Sequence, residues 1–462
     1  MGKVFRDPIH NLITFDGPEQ EILLALVGTA EFQRLRRIRQ MGVSSLTFHG
    51  AEHSRFTHSL GAYCVAKRML ESLERHREFE ELFTPLGEKR KEILIGALLH
   101  DIGHAPFSHL LEKTFVPQNA SADYPKNHEG WTVKIINGIF SNERLGGEVD
   151  WQFVCSLYGK SGVDNEIARD IISSQLDADR LDYLLRDSYA AGVPYGRFDL
   201  DWLIHSIRIG RVKLLGVAGQ RPRLCFSTPK ARAVVEQYVQ ARQSMYVQVY
   251  MHKTTRAYEA LMRHVLGLAQ HITQNNGILP GNTPGALIKV LTREALSLQE
   301  YLSLDDLVVW SALREWATAR NSTDPALSLL ARKCETLLSR GRPYRAIEID
   351  AEDGMFVAIV EVNSQLKNEN GLEQFSCYLD TYEDVPYRNV FYAKGKEEEE
   401  ERVKPIYLLD RDGRTHLAEE DSRLIRAVSE IRCRVYRLYY DDGNPELVDL
   451  LKSKDLLRET ST

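Results

Sequence analysis

Residues 93–104, ILIGALLHDIGH, constrain the fold more than any other stretch of the chain. The first seven are an unbroken apolar run of the kind that fills a core, and His100 and Asp101 arrive where that core should continue. Burying an imidazole and a carboxylate together costs several kcal/mol unless partners compensate. His104 follows one helical turn after His100, so the two imidazoles share a face. Neutral imidazole beside carboxylate suits a divalent first-row metal, and two adjacent residues cannot complete its shell. Further ligands must come from distant parts of the chain. His58, at the start of another amphipathic helix, and Asp179, in the segment QLDADRLDYLLRD (175–187) where charges crowd an apolar helix, are the candidates.

The rest of the sequence frames this site as part of a large globular protein. At 462 residues, 43% hydrophobic and 27% charged, the chain is long enough for two or three domains. A net charge of −6 argues against broad attraction to nucleic acid, although a local basic pocket for a small anion stays compatible with it. The six cysteines are dispersed with no CxxC pair, as expected of reduced thiols in a cytoplasmic protein. The N-terminus lacks an apolar signal core, and the run at 93–99 is too short to cross a bilayer.

Apolar spacing predicts helices over 32–41, 60–73, 93–104, 131–140, 167–174, 178–187 and 229–272. A short hairpin is expected from 212–217 and 223–227 around residues 218–220. A Gly/Pro/Asn-rich connector at 275–284 precedes further helix over 285–339, and strands are expected at 346–349, 356–362, 405–409 and 433–440. The fold class is therefore mainly α, a helical core over 1–272 followed by a smaller α+β region over 273–462. The charge run 396–401 reads as a solvated loop.

Five blocks in order carry a resemblance: FQRLRRIRQMG (32–42), HSRFTHSLG (53–61), LHDIGHAPFSH (99–109), NHEG (127–130) and DRLDY (179–183) with Arg186 and Asp187. They resemble the HD-domain phosphohydrolases, named for the ligand order His, His-Asp, Asp that His58, His100, Asp101 and Asp179 reproduce. The similarity covers roughly the first 265 residues and is closer to the deoxynucleoside triphosphate triphosphohydrolase branch than to HD proteins at large. A lone HD dipeptide carries no weight; five ordered blocks are specific.

The resemblance implies one divalent transition metal (iron, manganese or zinc) on His58, His100, Asp101 and Asp179, with magnesium accompanying the nucleotide. It implies proton transfer by His104 and His128, with Glu112 orienting His104. Arg55 and Arg180 become phosphate clamps, Arg180 standing where related enzymes often carry lysine. Gln40 and Met41 match positions that meet the nucleoside, and Tyr183 and Asp187 match a pair that reads the sugar. The blander reading of that pair is a buried tyrosine and a salt bridge from Asp187 to Arg186. Arg242, Tyr246 and Tyr250 recur every four residues on one helix face, with Tyr246 where some relatives place histidine.

The expected reaction is hydrolysis of a deoxynucleoside triphosphate to deoxynucleoside and inorganic triphosphate. Two alternatives stay open: the same chemistry on a nucleoside monophosphate or signalling nucleotide, or a nucleotide-sensing or nucleic-acid-binding protein with weak hydrolysis. Relatives of this kind lead one to expect a homo-oligomer, a tetramer first, and a nucleotide effector. The 273–462 region then serves oligomerisation or regulation. Base preference and metal identity are not legible.

Overall fold

The computed structural model describes residues 2–76, 86–140, 149–158, 166–213, 219–349, 355–368, 371–384, 387, 405–430 and 433–457. At its centre runs the helix Arg55–Arg75, which buries Phe56, His58, Leu60, Tyr63, Val65 and Met69 around most of its circumference. A helix enclosed on every side belongs inside a protein rather than on its rim. The Arg90–Leu99 helix beside it is buried continuously from Glu92 to Leu99, as the apolar run requires. A third helix, Ala178–Ala191, starts where the Asp177 side chain accepts from Arg180 N and ends at Gly192 with φ +71°. That is the pairing of an N-terminal carboxylate cap with a left-handed C-terminal glycine.

Several expected elements break where tertiary pairing overrides local spacing. The helix expected over 32–41 splits into Ala30–Arg34 and the 3₁₀ turn Leu35–Arg37, after which Ile38 is extended. There Arg55 N donates to Ile38 O at 2.9 Å and Gln40 N to His53 O at 3.0 Å, a sheet-like contact that draws the strip alongside the Arg55–Arg75 helix. The helix expected over 93–104 stops at Leu99. The stretch over 229–272 becomes Arg232–Met245, a π turn at Tyr246–Tyr250 and Lys253–Gln274. The strand expected at 356–362 is instead part of the helix Met355–Asn368, which buries Ile359, Val362 and Leu366. Their spacing of three and four is helical, and it outweighs the β-branched composition that suggested a strand.

Nine strands are described. A hairpin not anticipated from sequence opens the chain, β1 (Lys3–Asp7) with β2 (Asn11–Phe15). The next, β3 (Ile207–Val212) with β4 (Arg221–Ser227), uses an earlier first strand than expected; residues 214–218 lie outside the described set. After β5 (Arg345–Ile349) and β6 (Cys377–Asp384) come β7 (Tyr407–Leu409), β8 (Thr415–Leu417) and β9 (Cys433–Tyr440). One sheet has the order β3-β4-β7-β8, with β7 parallel to β4; another has the order β5-β9-β6 and is antiparallel. The charge run at 396–401 lies outside the described residues.

Residues on both sides of position 272 share cores. Leu287, Tyr301, Leu313, Trp316 and Leu330 bury themselves with Val43, Ala105, Phe107 and Leu110 against the Lys253–Gln274 helix. Leu408, Ile425 and Val428 join the core around the Arg55–Arg75 helix. Cys64, Cys155, Cys225 and Cys334 are free thiols. Among the described residues no helix is long and apolar enough to cross a membrane.

Candidate active site

Three helices deliver the atoms of a group that could hold a metal ion. His58 sits in the first turn of Arg55–Arg75, His100 directly after Arg90–Leu99, and Asp179 in the first turn of Ala178–Ala191. His58 Nε2 lies 3.1 Å from His100 Nε2 and 2.9 Å from Asp179 Oδ1, and His100 Nε2 lies 3.6 Å from the same oxygen. Ligand atoms on one transition metal at bond lengths near 2.1 Å stand about 3.0–3.4 Å apart, so the three fit a common ion. Asp101 borders the group, with Oδ2 3.7 Å from His58 Nε2 and Oδ1 3.4 Å from His100 Nε2.

Each imidazole is turned toward this point by its other nitrogen. His100 Nδ1 meets Ala97 O at 2.8 Å, and His58 Nδ1 meets Asp182 Oδ2 at 2.7 Å. Carboxylates behind ligating histidines set tautomer and ring angle. Burial disfavours a charged His58, yet hydrogen bonds to Asp179 and Asp182 outweigh it and raise the ring to about 10. Burial likewise disfavours the Asp179 anion, and His100 and His58 nevertheless hold it far below the usual carboxylate range. The carboxylates around the two rings thus favour positive charge at this point.

Beyond Asp101 the chain enters a constrained turn. A Cβ on Gly103 would lie 2.2 Å from His128 O and 2.3 Å from Thr132 N, so only glycine lets the two segments approach. Phe107 and Ser108 both adopt left-handed backbone, φ +54° and +58°, which costs roughly 1–2 kcal/mol each for residues with a Cβ. Phe107 N donates to Asp306 Oδ1 at 2.8 Å, and Arg39 N donates to Asp306 Oδ2 at 2.9 Å. Burial raises the Asp306 carboxyl to about 6.

This turn gathers three imidazoles. His104 stacks on His128 with ring centroids 4.1 Å apart, and His109 closes on both at 5.2 and 5.0 Å. Glu112 meets His128 Nδ1 at 2.9 Å and His109 Nδ1 at 3.3 Å; the structure brings it to those two rather than to His104. His104 Nδ1 faces Asp101 Oδ1 at 3.1 Å, while its Nε2 is buried without a partner among the described residues. Burial, then Arg55, hold His104 well below the ordinary imidazole value. His109 was not singled out from sequence, although it lies five residues beyond His104 in the quoted block. Its side chain is 66% exposed, which makes it the ring of the three most open to a substrate.

A second wall rises along the Ala178–Ala191 helix, where Asp179, Tyr183 and Asp187 succeed one another every four residues. Asp187 accepts from Tyr250 OH at 2.7 Å and faces His53 Nε2 at 2.8 Å. Tyr183 stands between, 6.4 Å from the His58 ring and 6.5 Å from Tyr250. Tyr246 meets Tyr250 edge-on at 5.2 Å, and the buried Arg242 lies 5.2 Å from the Tyr246 ring. Gln40 joins this wall through its bond to His53 O, with Met41 buried beside it. Arg186 turns away from Asp187 to Asp182 and Asp7. Of the two expected phosphate clamps, Arg55 is buried against Asp101 Oδ2 at 2.5 Å and Ser108 Oγ at 2.8 Å, whereas Arg180 is 30% exposed beside Asp177.

Comparison with known proteins bears on this constellation. The HD domain family matches residues 55–187. The uncharacterized protein YwfO of Bacillus subtilis is 33% identical over 98% of this chain and 97% of its own length. The deoxynucleoside triphosphate triphosphohydrolase SAMHD1 of Danio rerio is 28% identical over 56% of this chain and 44% of its own length. A crystal structure of a phosphohydrolase from Bacteroides thetaiotaomicron superimposes with a TM-score of 0.74 at 25% identity, covering 96% of this chain and all of that one.

Proposed function

We propose, from the premise that this chain belongs to the HD-domain phosphohydrolases, that it hydrolyses deoxynucleoside triphosphates to deoxynucleoside and inorganic triphosphate. The observation that supports this reading best is Asp187, an acceptor held by His53 and Tyr250 two helical turns from Asp179 with Tyr183 between them. At 1.5 Å rise per residue the two residues are about 12 Å apart along the helix, which leaves room between their side chains for a sugar and the phosphate it carries. Asp187 would accept the 3′-hydroxyl, and the Tyr183 ring would close the space a 2′-hydroxyl needs.

His58, His100, Asp101 and Asp179 would hold a divalent transition metal, which supplies Lewis acidity to a phosphoryl oxygen. Arg180 would contact the phosphate chain, and Arg55 would hold Asp101 in place. A water oxygen bonds to the α-phosphorus as the bond to the 5′-oxygen breaks, and the proton the water sheds passes to solvent, from which the imidazole that protonates the leaving oxygen is recharged. The departing 5′-oxygen takes a proton from the imidazole group, His109 being the exposed donor and Glu112 the carboxylate that orients His109 and His128. The similarity to enzymes named as triphosphohydrolases adds support.

Incubation with each deoxynucleoside triphosphate and separation of products by ion exchange tests the proposal. Intact triphosphate with free deoxynucleoside is the expected pair. Release of pyrophosphate, or turnover of nucleoside monophosphates alone, would replace this reading with another phosphohydrolase activity.

A further inference from the structure

Behind the metal-ligating group lies a second layer that reaches outside the matched 55–187 segment. The Asp182 carboxylate is wholly buried and receives four donors. Arg186 grips it with both prongs, Nε to Oδ2 at 2.8 Å and Nη2 to Oδ1 at 2.9 Å. An imidazole then sits on each flank, His58 Nδ1 2.7 Å from Oδ2 and His10 Nε2 2.6 Å from Oδ1. An ionised carboxylate can only accept, so both ring nitrogens carry hydrogen toward it. His10 belongs to the turn of the β1–β2 hairpin, and its side chain is 2% exposed.

The turn is built to deliver this ring. Asp7 Oδ1 accepts from Ile9 N and His10 N, both at 2.9 Å, while Asp7 also takes Arg186 Nη1 at 2.8 Å. Asn11 closes the turn with φ +61°. On the opposite side a Cβ at Gly61 would stand 2.0 Å from Asp182 Oδ1 and 2.4 Å from Arg186 Nη2, so the central helix leaves room for this carboxylate and nothing larger.

We propose that His10 is a positioning residue of the metal centre: acting through Asp182, it fixes the angle at which His58 presents Nε2 to the metal. Arg186 already grips both Asp182 oxygens, while sharing its charge with Asp7. What His10 adds is symmetry. With one flank empty the carboxylate can swing toward the vacated side, lengthening its bond to His58 and freeing that ring to turn. The N-terminal hairpin is thus a working part of the metal centre. The inference rests on the reading of His58 as a metal ligand and is independent of the substrate.

Cobalt(II) is the probe, titrated into the metal-stripped full-length protein and followed by its visible ligand-field bands. His10→Ala is expected to bind cobalt at least about tenfold more weakly, with an altered band envelope. His10→Gln, whose amide can donate to Asp182 Oδ1, should return both toward wild type. A wild-type midpoint and spectrum for His10→Ala overturns the proposal, as does equal impairment in the alanine and glutamine variants, which would mark His10 as a mere anchor for the hairpin. If stripping unfolds His10→Ala, the rate at which a chelator removes cobalt from the loaded protein replaces the midpoint, with the same outcomes. His58→Ala separates the two readings. If it loses cobalt and His10→Ala does not, only this inference fails; if it binds cobalt like wild type, the metal centre itself is misassigned.

Discussion

His58 carries its proton far more tightly than a free imidazole because Asp179 and Asp182 flank a ring that burial alone would leave neutral. A metal bound to this ring would have to displace that proton from Nε2. Between about pH 7 and 10 the apparent metal affinity should therefore rise by up to tenfold per unit. Calorimetric titration in two buffers of different ionisation enthalpy should show at least one proton released per metal bound; release of none would contradict the raised value. The same shift has a sign for stability. With His58 at about 10 folded and near 6.5 unfolded, its contribution to the metal-free protein is complete below about pH 6.5 and is lost as pH rises through 10. Tyr183 offers a second test at this scale. Tyr183→Ala should narrow the preference for deoxyribo- over ribonucleotides, read as a ratio of kcat/KM; an unchanged ratio removes the ring from sugar selection. His58, His100 and Asp179, which the fold brings together, could be picked from sequence because chemistry this unusual stands out among apolar helices. Glu112 could not be assigned its partner, since 3₁₀ turns and the left-handed pair Phe107 and Ser108 replace the helical spacing that placed it near His104.

Asp306 shows how one element can discipline two others. Its helix, Asp306–Trp316, lies far along the chain from both the Arg39 strip and the turn bearing His104 and His109, yet its carboxylate takes a backbone N–H from each. In Asp306→Asn one of those N–H groups would face an amide NH₂, leaving a buried donor unsatisfied at a cost of about 1–3 kcal/mol. We expect kcat to fall on the order of ten- to a hundredfold as the imidazoles shift, with metal content unchanged by elemental analysis. Wild-type kcat in a folded variant would remove the clamp from catalysis. Hydrophobic spacing revealed the long helices because their buried faces repeat. It misjudged 32–41, where an isolated bridge between Arg39 and Ser54 takes the backbone bonds a helix would use. It misread 356–362 because valine and isoleucine suit either element until their partners are known. The Tyr246–Tyr250 π turn also eluded it, though the aromatic face it carries did not.

For the molecule as a whole, composition and periodicity were enough to expect a mainly helical protein with a smaller mixed region, and the structure has that form. The proposed division at 272 separates elements more cleanly than it separates cores. A fragment ending there would expose the face of Lys253–Gln274 that covers Leu287, Leu313 and Leu330. It should be aggregated or without a cooperative melt by circular dichroism; a monodisperse fragment that melts sharply would show the first part to be self-sufficient. Which distant strands pair is set by three-dimensional closure, not by local pattern, so no window of sequence announced that β4 accepts β7.

That pairing has a consequence during synthesis. The rim of β4 at Cys225–Ser227 waits for a neighbour made roughly 180 residues later. At about 5–20 residues per second the ribosome needs on the order of 10 to 40 seconds to supply it. Throughout that interval a nascent chain displays an open template to its siblings on the same messenger, and crowded polysomes are where this protein is most exposed to mispairing.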